Sequence, residues 1–208
     1  MSTRVIGITG FARHGKDTVG SLLVEEYGFT KVAFADALRS MALAINPYVS
    51  GGNIRLNHWV DNLGWDEAKK DHEIRRLLQA IGTEGVRGHL GDDAWIRAAK
   101  RTIDQVDGPV VITDVRFPNE ADAVHEWYGD LWRVARVNVD GSQFDNGVGS
   151  SHASESHIAG LPVDRAFVAY HPSMLRDLVR DLMGPPTDHV TQLMQLATAD
   201  SEGFLQCG

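Results

Sequence analysis

Val5-Ile6-Gly7-Ile8-Thr9 runs straight into Gly10-Phe11-Ala12-Arg13-His14-Gly15-Lys16-Asp17-Thr18. An apolar strand, then a glycine loop, then a lysine is the layout of a phosphate-binding P-loop. The two glycines let successive backbone N–H groups turn inward on an anion, and Lys16 is placed to reach terminal phosphates. A helix from about Lys16 aims the positive end of its dipole at the same spot. The strict pattern wants Ser or Thr directly after the lysine; Asp17 stands there instead, with Thr18 one position later. A plain glycine turn is the bland alternative, but it does not account for strand, glycines and lysine falling in register.

The chain of 208 residues fits one domain of ordinary size with room for a real core. Its hydrophobic fraction of 43% and charged fraction of 23% are those of a soluble globular protein. A net charge of −8 argues against a general nucleic-acid binder, which needs a basic face, but not against a nucleotide held in a locally positive pocket. Cys207 is the single cysteine, so no intrachain disulfide and no thiolate zinc cluster is expected. The N-terminus enters the first strand almost at once, leaving no room for a signal peptide, and no apolar run has the length of a membrane span. The expected compartment is a reducing cytoplasm.

Apolar runs alternate with helical periodicity, which predicts an α/β fold with a mainly parallel sheet. Val19, Leu22, Leu23 and Tyr27 form one helix face ended by Gly28, and a second strand is expected at Thr30–Phe34. Asp36 opens a helix through Ala44, Asn46-Pro47 ends it, and Gly51–Asn57 reads as a surface loop. Asp66–Val106 is rich in helix formers, with stripes at Ile74, Leu77, Leu78, Ile81 and at Ile96, Ala99, Ile103. Further strands are expected at Pro109–Thr113, Leu131–Val139 and Arg165–Tyr170. The last precedes a helix with Leu175, Leu178, Val179 and Leu182 inward, broken by Gly184-Pro185-Pro186.

The second informative stretch is Thr113-Asp114-Val115-Arg116-Phe117-Pro118-Asn119-Glu120-Ala121. A β-branched strand delivers Asp114 to its carboxyl end, where ligands bind in open α/β sheets, and an acid there can hold Mg²⁺ directly or through water. Its structural alternative is a local cap. Pro118 suits the first turn of a helix. Gly82, Gly85 and Gly88 interrupt a helical pattern at about 1 kcal/mol each; close by, Arg87 could clamp a phosphate. Trp95 suits a base-stacking role and a plain core role about equally. Asp36 is weighed evenly between helix N-cap and ligand. Asp140–Ser156 has the composition of a lid but holds no Arg or Lys, leaving His152 as its only donor of positive charge, with Arg133 or Arg136 on the preceding strand as substitutes. His152 and His157 make no zinc pair.

With these residues quoted, the chain resembles the bacteriophage deoxynucleoside monophosphate kinases, P-loop kinases of the wider nucleoside monophosphate kinase group. The resemblance rests on Gly15-Lys16-Asp17-Thr18, Phe34–Arg39, Gly82-Thr83-Glu84 with Arg87 and Trp95, and most of all Thr113–Ala121; it spans roughly residues 4 to 183. It implies a P-loop three-layer sandwich with a five-stranded, mainly parallel sheet. An acceptor-binding helical insert at about 47–106, a lid at about 140–160 and a tail over 184–208 are implied with it.

It also implies transfer of the γ-phosphoryl group of ATP to a deoxynucleoside monophosphate. Gly10, Arg13, His14, Gly15, Lys16, Asp17, Thr18 and Arg136 would meet ATP, and Asp17 and Asp114 would hold Mg²⁺. Asp36, Arg39, Thr83, Arg87, Trp95, Arg116 and Asn119 would meet the acceptor, with Lys16, Asp36, Asp114 and Arg116 closest to the chemistry. The partners expected are ATP and the monophosphate, with a homodimer compatible and neither a membrane nor a nucleic-acid polymer; for a phage protein the compartment is the host cytoplasm. Ala169-Tyr170-His171-Pro172-Ser173 departs from the family's Asn-Asp-Gly-like turn. The alternatives are a kinase of another small acceptor such as dephospho-coenzyme A, which needs a general base, and a P-loop ATPase or binding protein.

Overall fold

The computed structural model describes residues 4–142, 144–145 and 157–186. Strand β1 (Val5–Thr9) lies at the centre of a five-stranded sheet with β5 (Val110–Ile112) on one side and β6 (Asp130–Arg136) on the other. β2 (Thr30–Val32) and β7 (Arg165–Ala169) close the order β2-β5-β1-β6-β7, and every pairing in it is parallel. The period of two along the strands sorts side chains to two faces. Val5, Val110, Ile112 and Leu131 join one core cluster, while Ile6, Ile8, Val111, Trp132 and Val134 join the other. Helices α1 (Lys16–Tyr27) and α8 (Pro172–Met183) cover the second face with Val19, Leu22, Leu23, Leu175 and Val179. Helices α6 (Ala94–Ile103) and α7 (Pro118–Glu126) cover the first with Trp95, Ala99, Ile103, Ala121 and Val124. This is the α/β arrangement with a parallel sheet that the alternation of apolar runs predicts, in the three layers that the resemblance implies.

Between β2 and β5 the chain forms α2 (Ala35–Ile45), a hairpin of β3 (Tyr48–Val49) and β4 (Ile54–Arg55), α3 (Leu56–Ala68) and α4 (His72–Gln79). A π-helical turn (Ala80–Arg87) and the short α5 (Gly88–Leu90) then lead to α6. Ala42, Val49, Leu56, Ala68 and Ile74 are a small core of their own. The segment expected as a surface loop is therefore a hairpin and the start of a helix, because Val49 and Leu56 are buried in that core. Helix begins about ten residues earlier than Asp66, and Gly64 (φ 75°, ψ 167°) breaks it near its end.

β2 stops at Val32 rather than Phe34, since the next main-chain N–H groups leave the ladder for a side chain at the site. β6 ends at Arg136, although the Val137 N–H still donates to the Ala169 carbonyl. On α8, Leu175 and Val179 are buried and Leu178 packs beside them, but Leu182 is exposed. Most of the expected lid, with His152, and residues 187–208 of the tail lie outside the described residues. Among the described residues no helix is long and apolar enough to cross a membrane.

Candidate active site

The glycine loop leaves the carboxyl end of β1 in a conformation only glycine tolerates at two points. Gly10 has φ 148°, and a Cβ there would stand 2.3 Å from the Val134 carbonyl oxygen of β6. Gly15 has φ 99°, immediately before α1, and a Cβ there would meet Leu175 of α8 at 2.6 Å. Packing on both sides thus holds the loop tight. The Lys16 ammonium donates to the Phe11 carbonyl at 2.8 Å and so bends back over the loop it follows. His14 is buried; its Nδ1 accepts the Arg136 N–H at 3.1 Å, and its ring packs near Phe11 and Phe144. His14 therefore braces the loop against β6.

Arg13 adopts φ 63° and is exposed. Asp17 and Thr18 are exposed in the first turn of α1, where the Asp17 carboxylate pairs with Lys31 at 3.2 Å. Beside the loop, a small pocket is lined by Arg13, His14, Gly15, Arg136, Ala169, His171, Pro172 and Leu175. The Arg136 guanidinium sits 4.1 Å from the Phe144 ring centroid. A wider depression along α1 and Arg176 is walled by helix surface. The small pocket is the one that contains the loop.

The neighbouring strand end is organised by two carboxylates. The Asp114 oxygens accept the Phe34 and Ala35 N–H groups at 2.9 and 3.0 Å, which pins the start of α2 to the end of β5. Burial pushes the Asp114 carboxyl up, while those two N–H donors, Arg116 and Arg39 pull it down. In the structure the Asp114 carboxylate, expected to hold Mg²⁺ directly or through water, also anchors the start of α2. Glu120, 4% exposed at its side chain, accepts the Arg116 and Phe117 N–H groups at 2.8 and 3.2 Å and pairs with Arg87 at 3.0 Å. Burial raises its carboxyl to about 7 against the pull of these partners.

Arg87 also stacks on Phe117 at 4.2 Å, so it braces α7 rather than standing open for a phosphate. The three glycines explain how it arrives there. They do not break the helix but widen it, and the Gly88 N–H reaches back five residues to the Thr83 carbonyl. Thr83 is exposed on that turn.

Asp36 is exposed in the first turn of α2. One oxygen accepts the Ala33 N–H at 2.8 Å and the other the Arg39 guanidinium at 3.1 Å. The N-cap of α2 is Phe34, so Asp36 is not the cap residue; it ties the Ala33 N–H in front of the helix and orients the Arg39 guanidinium. Arg39 and Arg116 both act electrostatically on Asp114, so the two guanidiniums share this corner. Two further expected site residues have structural partners. Trp95 is buried in the core and donates its indole N–H to the Gly82 carbonyl at 3.1 Å, so it packs rather than stacks on a base. Asn119 donates to Asp93 at 2.9 Å and ties α7 to the turn before α6. Arg133 is occupied by the Ile158 and Leu161 carbonyls.

Sequence reading passed over two residues. Glu120 belongs to the quoted motif, and a carboxylate three residues past a helix start was its available signal. Lys69 gave none, since a Lys69-Lys70 doublet reads as solvated surface; the fold half-buries it, and burial with the charge of Arg39 lowers its ammonium below the ordinary lysine range.

Two curated relatives align with this chain. A protein of Acanthamoeba polyphaga mimivirus named "Putative deoxynucleotide monophosphate kinase" is 28% identical over 156 residues, covering 65% of this chain and 75% of that protein. The deoxynucleoside-5′-monophosphate kinase of Escherichia phage T5 is 36% identical over 85 residues. The chain is similar to viral deoxynucleotide monophosphate kinases. The second match covers 40% of this chain and about a third (34%) of the T5 enzyme. No family model matches. Among solved structures, TT1252 from Thermus thermophilus overlays with a TM-score of 0.44 at 20% identity, covering 88% of this chain and 96% of that one.

Proposed function

We propose that the protein transfers the γ-phosphoryl group of ATP to the 5′-phosphate of a deoxynucleoside monophosphate, giving ADP and the deoxynucleoside diphosphate. One observation carries the reading. The glycine loop with Lys16 lies at the carboxyl end of β1, and the corner holding Arg39 and Arg116 lies at the ends of adjacent β5 and β2. Two anion-binding surfaces therefore sit side by side on one sheet edge. An acceptor phosphate oxygen attacks the γ-phosphorus, the bond to the β,γ-bridging oxygen breaks, and the electron pair leaves with ADP. The nucleophile is already an anion, so positioning and charge neutralisation suffice. Asp36 supports this, because both of its oxygens hold other groups and the site needs no general base.

In this reading Gly10–Gly15 cradle the β-phosphate, Lys16 holds the β- and γ-phosphates, and Thr18 meets the phosphate nearer the ribose. Arg13, His14 and Arg136, which line the small pocket beside the loop, meet ATP. Arg39 and Arg116 hold the acceptor phosphate, with Thr83 near the acceptor and Arg87 and Asn119 bracing from behind. The exposed carboxylate of Asp17 is a hard oxygen donor that fits Mg²⁺, with Asp114 reached through water. Bound there, Mg²⁺ supplies neutralising charge to the ATP phosphates. A cytoplasmic setting, a helical insert over 47–106 that carries the acceptor and a lid over 140–160 complete the proposal.

The test is a panel of ribo- and deoxynucleoside monophosphates incubated with ATP and Mg²⁺, with the products separated. ATP consumption that requires a deoxynucleoside monophosphate and yields its diphosphate supports the reading. Consumption with every monophosphate omitted, or with dephospho-coenzyme A alone, sinks it.

A further inference from the structure

Arg116 extends from a main chain that is tied on both sides. Behind it, the buried Val115 donates its N–H to the Ile8 carbonyl of β1 at 3.3 Å. Ahead of it, Phe117 is the N-cap of α7, and its carbonyl accepts the Glu120 and Ala121 N–H groups at 3.1 Å each. The Arg116 N–H itself donates to Glu120 Oε2 at 2.8 Å, and the Phe117 N–H donates to the same oxygen at 3.2 Å. Arg116 is thus an exposed residue on a held backbone.

Glu120 does more here than a helix start requires. It is the third residue of α7, the place from which a capping-box carboxylate reaches back to the N-cap N–H. That N-cap bond is the longer of the two; the shorter goes one residue further out, to Arg116. Capping does not call for burial either, yet the Glu120 side chain is 4% exposed, and its other oxygen, Oε1, pairs with Arg87 at 3.0 Å. Arg87 in turn lies over the Phe117 ring at 4.2 Å. The two oxygens therefore divide the work. A cation from the π-helical turn fixes Oε1, and that aims Oε2 at the main chain of Arg116. Desolvation offsets most of the attraction in a buried ion pair, so stability alone is a poor account of this one.

We infer that Glu120 is a positioning residue for Arg116: its Oε2 sets the main chain from which that guanidinium meets the acceptor phosphate, and Arg87 turns the carboxylate to the task. This rests on the proposed function, in which Arg116 holds that phosphate, and deepens it. Glu120 is buried behind the turn and acts only through Arg116. A long side chain loses less freedom on binding when its own main chain is already fixed, so the contribution appears in acceptor affinity. The role demands the length of the glutamate more than its charge, because Oε2 must reach from inside α7 back past the N-cap.

The experiment measures calorimetric affinity for the four common deoxynucleoside monophosphates and for their parent nucleosides, with ATP absent. Glu120→Asp keeps the charge and shortens the reach. Glu120→Gln keeps the reach, with a carbonyl oxygen able to accept both N–H groups, and loses the charge. For an acceptor that wild type binds, Glu120→Asp should weaken the monophosphate by about tenfold and leave the nucleoside unchanged. In steady state, KM for the acceptor should rise and KM for ATP should not. Glu120→Gln should bind the monophosphate within about threefold of wild type. Arg116→Ala should itself weaken the monophosphate; in that background Glu120→Asp should cost no further affinity, while its drop in melting temperature persists. A readout on the wild-type chain guards against variants that do not fold: the Arg116 N–H should exchange at least about a hundredfold slower than in an unfolded chain. An unprotected Arg116 N–H, wild-type monophosphate affinity in Glu120→Asp, equal losses for monophosphate and nucleoside, Glu120→Gln as weak as Glu120→Asp, or additive losses with Arg116→Ala would each overturn the inference while the kinase reading stands. A wild-type protein that binds no monophosphate would remove both.

Discussion

In the proposed reading, the donor and acceptor halves of this site bind the same chemical group by different means. On the donor side, nine consecutive residues from Gly10 to Thr18 make the loop, and main-chain N–H groups with one lysine meet the phosphates. On the acceptor side, Arg39, Arg87 and Arg116 come from three elements, and carboxylates hold two of them, Asp36 pairing with Arg39 and Glu120 with Arg87. Amide dipoles need no counterions, so the donor loop is held by packing from Val134 and Leu175 and by the bond from the Arg136 N–H to His14. Guanidinium groups brought into a half-buried corner do need them, which is why Asp36, Asp114 and Glu120 are spent on structure. On one side binding and folding are nearly separate tasks; on the other they share residues.

That contrast can be broken by experiment. Lys16→Ala should lower turnover by about a thousandfold with little change in melting temperature, since the Lys16 ammonium donates to a carbonyl of its own loop rather than to a distant element. Near-normal turnover in the folded variant would end the donor assignment. Arg87→Ala should do the reverse: a loss of about 3 kcal/mol in stability, because Glu120 keeps its buried position without its cation. Acceptor KM should move far less. A large KM change with no stability change would make Arg87 a clamp after all.

The same carboxylate gives a pH signature. Glu120 takes its proton at about 7 in the folded chain and near 4.5 when unfolded. Between these values the folded state holds more protons, so stability falls as pH rises through that window, by about 3 kcal/mol in total. Denaturant titrations from pH 4.5 to 8 should show the decline, and Glu120→Gln should flatten it. The smallest effect is expected at Trp95. Replacement by Phe leaves the Gly82 carbonyl without its indole donor and should cost about 1–2 kcal/mol, with acceptor affinity unchanged. Weakened acceptor binding in that variant would return Trp95 to the site.

The loop was legible because its chemistry is contiguous. Strand, glycines and lysine are neighbours in the chain, and the main chain does the binding wherever that spacing occurs. Asp114 and Arg116 were legible as a pair at a strand end, but the duty of Asp114 was not: Phe34 and Ala35, its hydrogen-bond partners, are about eighty residues away in sequence. Trp95 illustrates the limit from the other direction. Its residue type suits a base or a core equally, and only packing against Gly82 and its neighbours in the core decides between them.

The amino-acid sequence by itself determined the alternation of strand and helix, the two-faced burial of the strands and the phosphate loop, because each depends on residues within a few positions of one another. Tertiary structure alone decided which cations brace the fold, as Arg87 does on Glu120. A charged side chain takes its role from the carboxylates, N–H groups and other cations around it, and here those neighbours arrive from distant parts of the chain.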